Sequence, residues 1–262
     1  MDAHVHFHRM ELVAPTLDSA ARNFSMFERP ASAVTGVLLL AESARERIFD
    51  RLRGVGMLGD WQFRESPGEP VTILAEARDR RIAIVCGRQI RCALGLEVLA
   101  LGTMATYPEG LELEETLDRV TADGAVASVP WGFGKWIGRA GAQVAGFFSR
   151  GPRVRVFAGD NGGRLDVTGQ PGLLDSARRA GFEVLPGTDP FPFSSDYRRV
   201  GSFGFLADVE PPAPAPWAAL REWLEDQRQS PQAYGRALGP LRFAFNQCWI
   251  QVHNRMLTRQ AG

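Results

Sequence analysis

A chain of 262 residues and 28.8 kDa is long enough for two average domains or one α/β barrel, with a sizeable buried core. Hydrophobic residues make up 45% and charged residues 23%, and 30 basic side chains balance 30 acidic ones, so no global field draws the chain to nucleic acid or to a membrane. Three cysteines (Cys86, Cys92 and Cys248) form no CxxC pair and no charged-then-apolar leader opens the chain, which predicts a cytoplasmic protein.

The chain opens on Asp2-Ala3-His4-Val5-His6-Phe7-His8, which holds three of the four histidines. Read as a β-strand, the period of two turns His4, His6 and Asp2 to one face. Leu17, Ala20, Ala21, Phe24 and Phe27 then share one helical face. Val34–Leu40 is a nearly continuous apolar run, as in a strand buried on both faces, and Ala44–Leu52 returns to helix. Trp61–Arg64 and Val71–Ala75 flank a Ser66-Pro67-Gly68 turn and read as a hairpin.

Ile82–Cys86 and Gly95–Leu101 are further strands, followed by a helix over Leu111–Ala122 with an acidic first turn that suits the helix dipole. The alternation continues with strand Ala125–Pro130, helix Trp136–Phe148, strand Arg153–Ala158, helix Leu173–Ala180 and strand Phe182–Pro186. Strand and helix thus alternate to about residue 190, which predicts an α/β fold, specifically a TIM-like (β/α) barrel of roughly seven or eight strands. No glycine-rich turn follows the first strand, which disfavours an open dinucleotide-binding sheet. The expected barrel covers residues 1–209. Residues 210–262 supply a proline-rich connector, Pro211–Pro216, and two helices, Trp217–Arg228 and Leu241–Met256, packed on it.

A barrel builds its site at the C-terminal ends of its strands, and chemistry-bearing residues cluster there. Glu97 stands in an apolar run, where an unpaired charge is costly to bury, so it calls for a partner or a metal. Asp189 precedes Pro190 and Pro192, which leaves it little scope as a helix cap. Asp160-Asn161-Gly162-Gly163 is either a turn or a ligand-binding loop, with Arg164 following. Lys135, the only lysine, and Arg139 open a helix and either hold an anion or merely reach solvent. His8 and His253 read as structural or solvated.

Asp2-x-His4-x-His6, then Gly95-Leu96-Glu97, then Gly187-Thr188-Asp189 resemble, in that order, motifs of the PHP and amidohydrolase-type metal-dependent hydrolases. The resemblance spans roughly residues 1–205. It implies a distorted barrel with His4, His6, Glu97 and Asp189 as metal ligands, and hydrolysis of phosphoesters or amide-type bonds. Such families draw further histidines from middle strands, where this chain has Ser128-Val129-Pro130-Trp131-Gly132. One ion (Zn, Mn or Fe) is therefore expected, with Asp160 as an optional extra oxygen ligand.

The expected reaction is attack by water activated at that ion. Asp189 would take the proton, and Lys135 and Arg164 would stabilise negative charge on the substrate. Trp131, Phe133 and Trp136 would wall a pocket for a small, anionic substrate. The alternative is a catalytically silent protein of the same design that binds an anion or a protein partner through Arg164, Lys135 and the Asp160–Gly163 loop. A third reading is an interaction scaffold that uses the Trp217 and Trp223 helix.

Overall fold

The structure, a computed structural model, describes residues 1–27, 36–166, 169–193, 195–209, 215–226 and 229–249. The proline connector at 211–214, His253 and the rest of the predicted last helix beyond residue 249 lie outside these residues.

The first sheet has six strands in the order β1 (Asp2–Val5), β2 (Gly36–Leu40), β6 (Arg80–Val85), β5 (Glu69–Ala77), β4 (Trp61–Ser66) and β3 (Met57–Leu58). The second runs β11 (Val184–Pro186), β10 (Val156–Asp160), β9 (Val126–Trp131), β8 (Glu97–Leu101) and β7 (Gly87–Arg91). A ribbon of β12 (Phe203–Leu206) and β13 (Gln232–Gly235) completes the set.

The predicted TIM-like barrel does not form. Its strands lie in open sheets, and pairing is antiparallel from β6 to β3 and again from β7 through β8 to β9. The reason is connection length. Only Cys86 separates β6 from β7, and only 92–96 separate β7 from β8, too little for the crossover helix that a parallel neighbour needs. Gly87-Arg88-Gln89-Ile90-Arg91 lacks an apolar run and so escapes notice as a strand in the sequence. The fold is α/β with mixed sheets.

The alternation along the strands explains the packing. Val5, Leu38, Leu40, Ile82 and Ile84 face helices α1 (Val13–Ser25) and α2 (Ile48–Arg53) on the outside of the first sheet. Val98, Ala100, Ala127, Val129 and Ala158 face α3 (Leu113–Ala122), α4 (Gly138–Ser149) and α5 (Gly172–Arg179) on the outside of the second. Residues of the opposite register, including Ala3, Val37, Leu39, Val85, Leu101, Phe157 and Leu185, fill the space between the sheets. Both faces of the central strands are dry, hence their continuous apolar runs.

Helix α6 (Pro216–Asp226) closes this inner core with Trp217, Leu220 and Leu224. Its first turn is held by the Glu69 carboxylate, which accepts the N–H groups of Trp217 (3.0 Å) and Ala218 (2.7 Å). A negative charge at that end also suits the helix dipole. Gly102 leaves room for the Trp217 ring, which a Cβ there would meet at 2.0 Å.

The two sheets touch at both margins without sharing a ladder. On one side the Asp189 N–H donates to the His4 carbonyl (2.8 Å). On the other, the Glu42 N–H donates to Gly87 (3.1 Å) and the Gln89 N–H to Glu42 (2.9 Å). Buried Glu42 also pairs with Arg88 and accepts the Phe49 N–H, which ties β2, β7 and α2 together. No helix among the described residues is long and apolar enough to cross a membrane.

Candidate metal centre

The first margin carries the site. Asp2 is fully buried and accepts from the Thr188 N–H (2.8 Å), the Thr188 hydroxyl (2.6 Å) and the Gly201 N–H (2.9 Å). It therefore anchors β1 to the loop after β11. Burial pushes its carboxyl pKa up, an effect that these donors only partly offset. Gly187 lets the two segments close, since a Cβ there would lie 2.4 Å from the His4 nitrogen. Asp189 then turns through a left-handed conformation (φ 44°), which brings its carboxylate back over β1.

Three ligand atoms converge as a result. His4 Nε2 and His6 Nε2 are 3.2 Å apart, and each is 3.5 Å from Asp189 Oδ1. Ligand bonds of about 2.0–2.2 Å to a zinc-like ion place neighbouring donors roughly 3.3 Å apart, so this triangle has the right size for one ion. The donor chemistry fits as well, with two imidazoles and a carboxylate. Gln89 Oε1 lies 3.1 Å from His4 Nε2 and adds another oxygen.

The surroundings hold these groups in place. Asn161 donates from Nδ2 to Asp189 Oδ2 (2.8 Å), and its own Oδ1 accepts the Gly163 N–H (3.0 Å), which fixes the amide orientation. His6 Nδ1 faces Glu46 Oε2 at 3.4 Å, and Glu46 Oε1 lies 2.8 Å from His8 Nδ1. His4 Nδ1 is buried without a partner. His6, unlike His4, thus has an outer carboxylate of the kind that orients metal-binding imidazoles.

Burial and charge set the protonation pattern. Burial lowers the pKa of His4, and the pull of Asp189 does not make up the difference. Burial acts the same way on His6, but the Glu46 hydrogen bond and the surrounding carboxylates outweigh it and raise the pKa. Burial alone would raise Asp189. The charges at His4, His6 and Lys135 and the Asn161 hydrogen bond instead hold it at about 2. Glu46 is likewise held well below the usual carboxylate range despite burial, by its hydrogen bonds to His6 and His8.

Of the residues predicted from sequence, His4, His6 and Asp189 come together. Glu97, at the start of β8, lies near enough to act electrostatically on both histidines, but its carboxylate is ion-paired with Lys135. Asp160 and Arg164 do not join the cluster. Arg164 donates to Asp160 at 2.6 Å, and the Gly162 N–H caps the other carboxylate oxygen at 3.0 Å. Trp131 and Trp136 are buried in the outer core of the second sheet, while Phe133 is exposed and meets Phe243 edge-on.

Sequence reasoning missed Glu46, Gln89, Asn161 and the placement of His8. Glu46 falls in a stretch that reads as helix, but α2 starts only at Ile48, so Glu46 folds back to accept the Ser43 N–H (2.9 Å). Asn161 stands in the Asp160–Gly163 turn, where turn chemistry alone accounts for an asparagine. A cavity of about 320 Å³ is lined by Glu42, Ser43, Arg47, Arg88, Gln89 and Tyr107, and its link to the histidine pair is Gln89, whose side chain reaches His4.

No family model and no curated protein matches this chain. Among solved structures it is similar to PsfC from Pseudomonas syringae PB-5123, at 14% identity and a TM-score of 0.58 over 96% of this chain and 97% of that one. A likeness at that identity concerns the fold.

Proposed function

We propose that the chain is a metal-dependent hydrolase in which His4, His6 and Asp189 hold one divalent ion of the Zn, Mn or Fe type. The observation that carries this reading is the triangle of 3.2, 3.5 and 3.5 Å between three acceptor atoms. Such an ion supplies Lewis acidity toward a phosphoryl or carbonyl oxygen and makes water acidic enough to react near neutral pH.

The chain's own residues do the rest. Asn161 orients Asp189 so that Oδ1 faces the imidazoles, and Glu46 turns His6 so that Nε2 does. Lys135, held beside the cluster by Glu97, lends positive charge to an oxygen that becomes negative in the transition state. Arg164 is engaged with Asp160 and has no such role. The cavity next to Gln89 takes the substrate, a small molecule with a phosphoester or amide-type bond. The three free thiols suit a reducing compartment, and we place the protein in the cytoplasm.

Elemental analysis of the purified protein, beside the variant His4→Ala/His6→Ala, tests the proposal. Near-stoichiometric metal that disappears in the variant is the expected result. Absence of metal in both, even after reconstitution with Zn²⁺ and Mn²⁺, overturns it.

A further inference from the structure

We propose that Gln89 reads the substrate: its side-chain oxygen faces the ion, and its side-chain nitrogen donates to an oxygen of the group that reacts there. This deepens the reading above and rests on it in one respect, that an ion binds at His4 Nε2.

Position comes first. Gln89 stands in β7, at the margin of the second sheet, and its backbone is held from both sides. Its N–H donates to the Glu42 carbonyl (2.9 Å), and its strand pairs with β8 on the other flank. From this fixed base the side chain crosses to the first sheet, where Oε1 lies 3.1 Å from His4 Nε2. The same side chain lines the cavity of about 320 Å³, so it connects the two. The chemistry of a carboxamide then fixes the direction, since it carries an acceptor oxygen and an N–H₂ donor on one carbon. A histidine nitrogen that gives its lone pair to a cation carries no proton, and the cation repels an N–H₂ group. The oxygen is therefore the atom turned toward His4. Nε2 is left pointing away from the ion, and it has no hydrogen-bond partner among the described residues.

Most other polar groups of the cavity are already committed. Arg88 pairs with Glu42 and donates to the carbonyls of Ala105 (3.3 Å) and Met104 (3.4 Å), and Glu42 also accepts the Phe49 N–H (2.7 Å). Arg47 is half exposed and paired with Asp50 at 3.2 Å, while Tyr107 packs on the outer core of the second sheet. Gln89 Nε2 thus stands ready for a ligand, with the Ser43 hydroxyl on the same cavity. A substrate oxygen that sits on the ion and accepts from Nε2 is held at two points, which orients the bond to be broken. The competing role for Gln89 is to steady His4 alone. His4 Nε2 would then be the donor to Oε1 and could not also bind an ion.

The test follows inorganic phosphate on the full chain loaded with Mn²⁺, through the relaxation of its phosphorus signal, beside Mn²⁺ binding measured by calorimetry. In wild type the relaxation should rise saturably as phosphate reaches the bound Mn²⁺. Gln89→Leu and Gln89→Glu should each still hold Mn²⁺ but bind phosphate about tenfold or more weakly, as loss of a hydrogen bond to a charged group implies. Gln89→Glu keeps the size of the side chain and an oxygen toward the ion, so it separates loss of the donor from loss of the fold. Gln89→Leu removes the donor without adding a charge that would itself repel phosphate. An unchanged phosphate affinity in Gln89→Leu overturns the proposal while the ion site stands. Weaker Mn²⁺ binding with unchanged phosphate binding to the loaded chain makes Gln89 a support for His4 and also overturns it. Phosphate that never reaches the bound Mn²⁺ in wild type does the same. No Mn²⁺ in wild type removes this proposal and the reading it rests on together.

Discussion

Asp160 ends β10 and Asp189 follows the neighbouring parallel strand β11 by three residues, both after apolar runs, yet they have opposite fates. Asp160 is met by a guanidinium from its own loop, Arg164, and by the Gly162 N–H. Its charge is answered within the chain. Asp189 faces two imidazoles and an asparagine amide, groups that leave one of its oxygens pointing at other acceptors. Asp160 is thus closed by a guanidinium of its own loop, whereas Asp189 Oδ1 faces two imidazole nitrogens, the arrangement the proposed ion would use.

The sharpest way to break this contrast is to remove each carboxylate in turn. Asp160→Ala leaves the partly exposed Arg164 guanidinium without its buried partner, and the cost is at most the roughly 3–5 kcal/mol of a broken, fully buried pair. Chemical denaturation should show that loss while ion binding persists. Asp189→Ala should do the reverse. It removes the rise in melting temperature on metal addition, worth about 2.7 kcal/mol at a hundredfold excess over the dissociation constant. Equal metal-induced shifts in wild type and Asp189→Ala would end the contrast.

Acid should separate them next. The Asp189 carboxyl is depressed from an ordinary 3.8 to about 2, so its contribution is present above pH 3.8 and is lost as the pH falls through 2. The size is roughly 2 kcal/mol, since each tenfold change in proton affinity is worth about 1.4 kcal/mol. In the metal-free protein, Asp189→Asn should therefore flatten the fall in stability between those two pH values, which urea titrations at each pH can check.

The smallest expected effect falls on the group that aims Asp189. Asn161→Ala removes the amide that fixes its carboxylate, and loss of such an outer partner weakens metal affinity by about 10–100-fold. Calorimetry should find weaker binding at unchanged stoichiometry. An unchanged affinity would mean that the turn through Asp189 is enough by itself.

Much of this was legible in the chain. The His4 and His6 pair follows from an extended period of two that carries on one residue past β1, and Asp189 stands out because Pro190 and Pro192 leave it little scope as a helix cap. Asp160 and Arg164 are four apart in one loop, so their pairing is a local matter, yet the loop alone does not say whether they face a ligand or each other. Glu46 and Gln89 were not legible. Glu46 lies 40 residues from His6 and Gln89 lies 85 from His4, and no local pattern encodes such meetings.

By itself the sequence determined the apolar runs, the helical faces between them and the placing of ligand-type side chains at strand ends, because each follows from the local periodicity of the backbone. Only the tertiary structure decided that the sheets stay open and which carboxylates keep an internal partner. Strand direction turned on connections too short for a helix, at Cys86 and at 92–96. Charge pairing turned on which loops the margins of the two sheets brought within reach of one another.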